Sequence, residues 1–205
     1  MAQAEQTTLD SILSAAMGEF LEKGFKSASL RNIARTAGVT TGALYGYFDS
    51  KNDLFEALVS EQYDYFITCF CRAQKDFADL PHNEQPDQLS SISGEYMHDM
   101  LIYAYGHLPQ FKLILCHSEG RRFSGLVDEM VKIESDATHN YLQVLKELGR
   151  PAPHIDQRLE HILITGMFNA FFELIIHEMP LDSALLYLSE MRAFYTAGWM
   201  KIMGQ

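Results

Sequence analysis

The sequence predicts an all-α fold of about nine helices. Three observations carry that reading. Apolar residues recur at helical spacing along almost the whole chain, capping and stop signals punctuate the pattern, and no segment alternates apolar and polar residues as a half-buried strand would. Leu9, Ile12, Leu13, Ala16, Met17, Phe20 and Leu21 share one helical face, and Gly24 follows where a positive φ would end a helix, so a first helix is expected from about residue 8 to 23. Ser29 is placed to cap a second, with Ile33, Ala34 and Ala37 inward and Gly38 at the sharp turn beyond. Thr40 caps a short third helix, across which Val39 and Leu44 are spaced as a hydrophobic staple. Ser50 and Asp53 predict a capping box for a fourth, whose apolar positions Leu54, Leu58, Phe66, Cys69, Phe70 and Phe77 run on to LPHNEQPD, a polar proline-containing stretch that reads as a loop. Later helices are expected over residues 88–105, 109–118, 122–148, 155–178 and 181–203. GRPAPH stops the third of these and Pro180 divides the last two.

The chain has 205 residues, of which 47% are hydrophobic, enough for a substantial core, and its net charge is −11. That charge by itself argues against a nucleic-acid partner, but its distribution does not. Up to Lys51 five basic residues (Lys23, Lys26, Arg31, Arg35, Lys51) balance five acidic ones, so the whole excess lies in the remainder. Cys69, Cys71 and Cys116 are odd in number and lack CxxC spacing, as expected where thiols stay reduced. No run of eighteen apolar residues and no export signal is seen, so a cytoplasmic protein without a membrane span is expected. The eight histidines show no HExxH or other tight ligand spacing, and GxSxG, P-loop and GxGxxG motifs are missing, so neither a metal, a cofactor nor an enzymatic activity is expected.

Residues 29–46 have the lengths of a helix-turn-helix, in which the first helix lies across the DNA backbone and the second puts its N-terminal residues into the major groove. Thr40 and Thr41 offer hydroxyls at the leading end of that second helix. Gly42 inside so short a helix costs roughly 1 kcal/mol relative to alanine, which asks for a compensating use; close backbone approach to a duplex is one. Tyr45 and Tyr47 carry hydroxyls suited to phosphates, while Leu44 and Phe48 are spaced to pack inward. Lys51 stands at the first position of the fourth helix, where the helix dipole disfavours a cation unless a phosphate is also present. Arg31 is placed to reach a phosphate or a guanine edge.

SLRNIARTAGVTTGALYGYFDSKNDLF closely resembles the DNA-binding segment of the TetR family of bacterial transcriptional regulators. The resemblance covers about residues 9 to 58, through the alanine-glycine-valine turn, the leucine-tyrosine-x-tyrosine-phenylalanine run and the serine-lysine pair. Carried over by position, it implies DNA contacts at Ser29, Arg31, Thr40, Thr41, Gly42, Tyr45, Tyr47 and Lys51. Asn32 stands where the family often has an acid, and Gly46 where it often has a larger side chain. The resemblance further implies an N-terminal three-helix helix-turn-helix DNA-binding domain (residues 1–50) followed by a larger helical ligand-binding and dimerisation domain (residues 51–205). The function implied is that of a repressor, dimeric on double-stranded operator DNA and released by a small-molecule inducer. The rival reading is a helical ligand-binding or scaffold protein that does not bind DNA.

Residues 155–203 are apolar on more than one face, which suits either an internal core pair or a symmetric interface with a second copy. The resemblance favours the homodimer. The middle of the chain is rich in Met, Tyr and Phe, including Met97, Met100, Tyr103, Phe111 and Tyr141, a stripe that by itself reads more readily as core than as the wall of a cavity. The family encloses its inducer with the corresponding helices, so these five become candidate ligand-binding residues, with Asn169 and Glu173, and also His139 and Asn140, as candidate polar contacts. Such a lining would suit an apolar or flat aromatic ligand, including a cationic one given the acid nearby.

Overall fold

The computed structural model describes residues 2–119 and 122–205. Among them the chain forms nine α-helices: α1 (Ala2–Ser27), α2 (Leu30–Thr36), α3 (Thr41–Tyr45), α4 (Lys51–Ala78), α5 (Gln85–Gly106), α6 (Leu108–Cys116), α7 (Leu126–Glu147), α8 (Gln157–Ile176) and α9 (Leu181–Ile202), with one 3₁₀ turn at Arg122–Gly125. The all-α expectation stands. Two compact units result, one from Met1–Asp64 with His107–Ser124 and one from Tyr65–Gly106 with Gly125–Gln205, so α4 contributes its first half to one and its second half to the other.

In the first unit the helical period of α1 buries Ile12, Ala16 and Phe20 completely. Gly24, at φ 70° and ψ 169°, breaks the helix where the sequence places its end, and one further turn follows to Ser27. The start lies earlier than the apolar pattern suggests, because that pattern begins only at Leu9 while Ala2–Gln6 are mostly good helix formers. The core is aromatic: Phe55 meets Phe20 edge-on at 5.1 Å and Phe25 at 5.4 Å, and Phe123 lies 6.0 Å away.

Glu19 ties α1 to α2. Its side chain, only 9% exposed, accepts hydrogen bonds from Lys23 Nζ (3.0 Å), the Ser29 N–H (3.1 Å) and Asn32 Nδ2 (3.4 Å). Desolvation raises the pKa of this carboxyl, but those donors together outweigh it and hold the group below the ordinary value of 4.5. A depressed folded-state pKa stabilises the chain above the unfolded value and loses that contribution as pH falls through the folded one. Glu19→Gln is therefore expected to cost about 1 kcal/mol near neutral pH, with the deficit shrinking below about pH 4 in paired thermal melts.

In the second unit α7 packs on α8, and α5 on α9. The α4–α5 connection is shorter than LPHNEQPD suggests: α5 starts at Gln85, because Pro86 is tolerated in a first turn, and buried Gln85 donates from Nε2 to the carbonyls of Ala78 (3.3 Å) and Leu80 (3.1 Å) at the end of α4. GRPAPH ends α7 as expected, and α8 begins behind Asp156, whose Oδ1 accepts from the Arg158 (2.9 Å) and Leu159 (3.4 Å) N–H groups. By length and composition alone α8 would suffice to cross a bilayer, and 39% of its most apolar window is buried within this chain. Ile164, Phe168, Phe171, Phe172 and Ile175 face inward from it, whereas Leu159 and Ile162 are exposed, as are Leu186 and Phe194 of α9.

Candidate functional site

The helix pair α2–α3 is set by local chemistry. Ser29 Oγ accepts from the Asn32 N–H (3.4 Å) to cap α2, and Thr40 Oγ1 accepts from the Ala43 N–H (3.0 Å) to cap α3. Between them Gly38, at φ +72°, lets the Val39 N–H reach the Ala34 carbonyl (2.9 Å) and its own N–H reach that of Arg35 (3.2 Å), a reversal that places α3 against α2. Leu44 is the buried anchor of α3, at 0% exposure, while Thr40, Thr41, Gly42, Tyr45 and Tyr47 face solvent. Tyr45 and Tyr47 are 50% and 38% exposed.

A Cβ on Gly42 would meet nothing nearer than Thr40 Oγ1 at 3.9 Å, so nothing inside the protein demands glycine there. Gly46 differs, since a Cβ would sit 3.2 Å from the Ala43 carbonyl oxygen. Neither α2 nor α3 carries an acid in its first turn, where an acid would complement the helix dipole. Arg31 is exposed and makes no hydrogen bond or ion pair among the described residues; Arg35 Nη2 donates to Asn32 Oδ1 (3.3 Å), and a shallow groove between α2 and α3 is rimmed by both arginines, Thr40 and Thr41. Asn32, the departure from the family pattern, thus links Arg35 to Glu19.

Lys51 has internal acceptors that sequence reasoning did not find. Its Nζ donates to the carbonyls of Lys26 (3.1 Å) and Ala28 (3.0 Å) and lies 4.7 Å from the centroid of the Phe25 ring. The negative ends of these carbonyls offset the unfavourable position of a cation at the start of α4. An ammonium has three donors, so one remains for an outside partner. Half of the expected capping box forms: Ser50 Oγ accepts from the Asp53 N–H at 3.1 Å. Lys51→Ala is expected to lower stability by about 1–3 kcal/mol in denaturant titrations, through two orphaned carbonyls and a lost cation–π contact.

The second unit holds a cavity of about 140 Å³. Of the residues proposed from sequence, Met97, Met100 and Tyr141 line it and four do not. Tyr103 stacks on Tyr65 with ring centroids 3.9 Å apart, and Phe111 is fully buried in α6, in the first unit. Asn169 and Glu173 lie on the outer stripe of α8 with Leu159, Ile162 and Gly166, a heptad-like spacing that turns them away from buried Phe168 and Phe172; Glu173 pairs with His177 at 2.7 Å. Nor do His139 and Asn140 line it; His139 Nε2 lies 3.0 Å from buried Glu160.

The polar groups that do line the cavity are Glu134, Gln74, Thr138 and Arg192 among others, with the single tryptophan, Trp199, in its wall. Gln74 Nε2 donates to Glu134 Oε2 at 2.7 Å. Desolvation, with a smaller addition from the charge of Glu160, pushes the Glu134 carboxyl up to about 7 despite the Gln74 bond, which favours the charged form. The Tyr141 hydroxyl is buried without a hydrogen-bond partner among the described residues, and burial raises its pKa.

Residues 12–58 match the family model described as bacterial regulatory proteins, tetR family. The chain is 27% identical over 166 residues to the probable HTH-type transcriptional regulator YttP of Bacillus subtilis, a match covering 77% of this chain and 76% of that protein. It is 45% identical over 56 residues to the HTH-type transcriptional regulator AcrR of Shigella flexneri, covering 27% of this chain and about a quarter (26%) of that protein. The crystal structure of the transcriptional regulator FadR from Bacillus subtilis, in complex with stearoyl-CoA, shares this fold with a TM-score of 0.59 at 18% identity, covering 92% of this chain and 97% of FadR. With an α2–α3 pair of this geometry, a matching N-terminal model and relatives that are transcriptional regulators, the chain belongs to the TetR family of bacterial regulatory proteins and is a transcriptional regulator with a helix-turn-helix DNA-binding domain.

Proposed function

We propose that the protein is a cytoplasmic repressor that binds a two-fold symmetric operator as a homodimer and leaves it when a small molecule fills the cavity of the second unit. One observation carries the reading. On α3 the only buried side chain is Leu44, and the outward face consists of groups with little to do inside the protein: Thr41, an unconstrained Gly42 and Tyr45. Thr41 and Gly42 enter the major groove, Arg31 meets a phosphate or a guanine edge, and Ser29, Thr40, Tyr45, Tyr47 and the remaining donor of Lys51 hold the flanking phosphates. Residues 1–50 supply the reading head, and residues 51–205 bind the ligand and dimerise.

The dimer is supported by the outer faces of α8 and α9 within residues 155–203. Ile162 is 64% exposed, Leu186 59% and Phe194 74%, with Gly166, Ala193, Ala197 and Gly198 among them to admit a close-packed neighbour. Phe194→Glu is expected to raise the dimer dissociation constant by about thirtyfold or more in sedimentation runs, with helicity retained by circular dichroism. An unchanged dissociation constant would place the interface elsewhere.

The ligand acts by population shift: the filled cavity prefers a state in which α4, continuous from Lys51 to Ala78, has swung, so that two reading heads no longer match major grooves about 34–36 Å apart. Reciprocity requires that operator and ligand weaken one another equally. The FadR structure that shares this fold holds stearoyl-CoA, which supports a ligand-binding role for the second unit. Selection of bound duplexes from a random pool is expected to enrich an inverted repeat; a pool that never enriches would favour the ligand-binding or scaffold reading.

A further inference from the structure

We propose that the cavity takes a small lipophilic amine, an ammonium group on a body about the size of one ring, with its nitrogen seated on Glu134. This rests on the reading of the cavity as the effector site and names the chemistry of what enters it. Glu134, Ala137, Thr138 and Tyr141 follow the i, i+3, i+4, i+7 spacing of one helical face, so α7 offers the cavity a carboxylate and, about 10 Å along the helix, a buried hydroxyl without a partner among the described residues. One Glu134 oxygen accepts from Gln74; the carboxylate has further lone pairs for a ligand N–H.

The surrounding wall is built for a cation with an apolar body. Phe77, Tyr96, Phe168, Tyr195 and Trp199 supply ring faces and edges, and methionines fill the gaps between them. A volume of about 140 Å³ is comparable to cavities that hold one benzene-sized molecule. Burial opposes the charged form of Glu134, and an ammonium would restore it. Arg192 is the basic side chain on the wall, but its guanidinium lies over Gly94 of α5, where a Cβ would come within 1.6 Å of Nη2. Arg192 thus stays on the wall as a second charged group, and an amine answers the Glu134 carboxylate rather than this guanidinium.

Trp199, the chain's single tryptophan, reports occupancy by its emission. The probes are 2-phenylethylamine, 2-phenylethanol and 3-phenylpropionate, which share a ring and differ in charge. The amine is expected to bind about tenfold more tightly than the alcohol, and the carboxylate most weakly. Glu134→Gln should remove that preference by lowering amine affinity about tenfold. Because the site disfavours the charged carboxylate, this variant is expected to fold at least as well as the parent at pH 8.

Amine affinity should also rise several-fold between pH 6 and 8 in the parent alone. Over that range an ammonium with a pKa of about 10 stays charged while Glu134 loses its proton. Gln74 of α4 and Glu160 of α8, paired with His139 of α7, act on Glu134 directly, and Tyr96 of α5, Tyr141 of α7 and Arg192 and Tyr195 of α9 are the other titratable or charged groups on the cavity wall. Equal or tighter binding of alcohol or carboxylate, unaltered amine affinity in Glu134→Gln, or no binding by any probe overturns the proposal. Amine binding that leaves operator affinity untouched supports the ligand class and tells against the effector role.

Discussion

Phe55→Ala is expected to destabilise the chain by about 3–5 kcal/mol, a drop in thermal midpoint of roughly 10 °C or more for a domain of this size. The ring is completely buried and lies within 6.0 Å of three others, Phe20, Phe25 and Phe123, drawn from α1 and the 3₁₀ turn. Truncation removes the hub of that cluster and leaves a void that rigid helices collapse into poorly. The reading head hangs on the same cluster, because Lys51 covers the Phe25 ring and holds the carbonyl end of α1 beside Ser29. Operator affinity should therefore fall with stability. Tyr45→Ala supplies the contrast: half-exposed, it is expected to change stability by no more than about 0.5 kcal/mol while still weakening duplex binding. Equilibrium denaturation of both variants checks the pair, and a loss under about 1 kcal/mol for Phe55→Ala would contradict the account of the core.

Gly42→Glu is expected to abolish operator binding, a loss of about a hundredfold or more, without loss of stability. Glutamate is the better helix former, and the position opens to solvent, so the free protein gains rather than loses by the change. Against a duplex the substitution adds bulk where backbone must approach and negative charge where phosphates converge. Mobility-shift titrations beside thermal melts separate the effects. Unchanged affinity in a folded variant would show that α3 does not approach DNA.

How legible each part was in the sequence follows from the range of the forces involved. The α2–α3 pair was legible because its determinants are local: Ser29, Gly38 and Thr40 act on backbone within a few residues, and the structure realises each. The cavity was only half legible, because a stripe of Met and aromatic residues does not say which neighbour it meets. Phe111 belongs to the same composition as Met100 yet packs in the other unit. Asn169 and Glu173 were misplaced by the rotation of α8, since each residue turns the helix by about 100° and its apolar residues span more than one face. Glu134 escaped notice because a lone acid on an amphipathic helix resembles any solvated residue until burial is known. Lys51 drew attention for its position, but its acceptors come from residues 23 and 25 places earlier in the chain, through the break at Gly24.

The central claim is that the outward face of α2–α3 is the surface that meets a DNA duplex. Amide hydrogen exchange, recorded with and without the enriched duplex, tests it most directly. Residues 29–47 should gain protection on adding DNA, most strongly at 40–45, while amides of α8 and α9 keep their rates when the protein is dimeric in both samples. Protection that appears on the second unit and bypasses residues 29–47 would contradict the account.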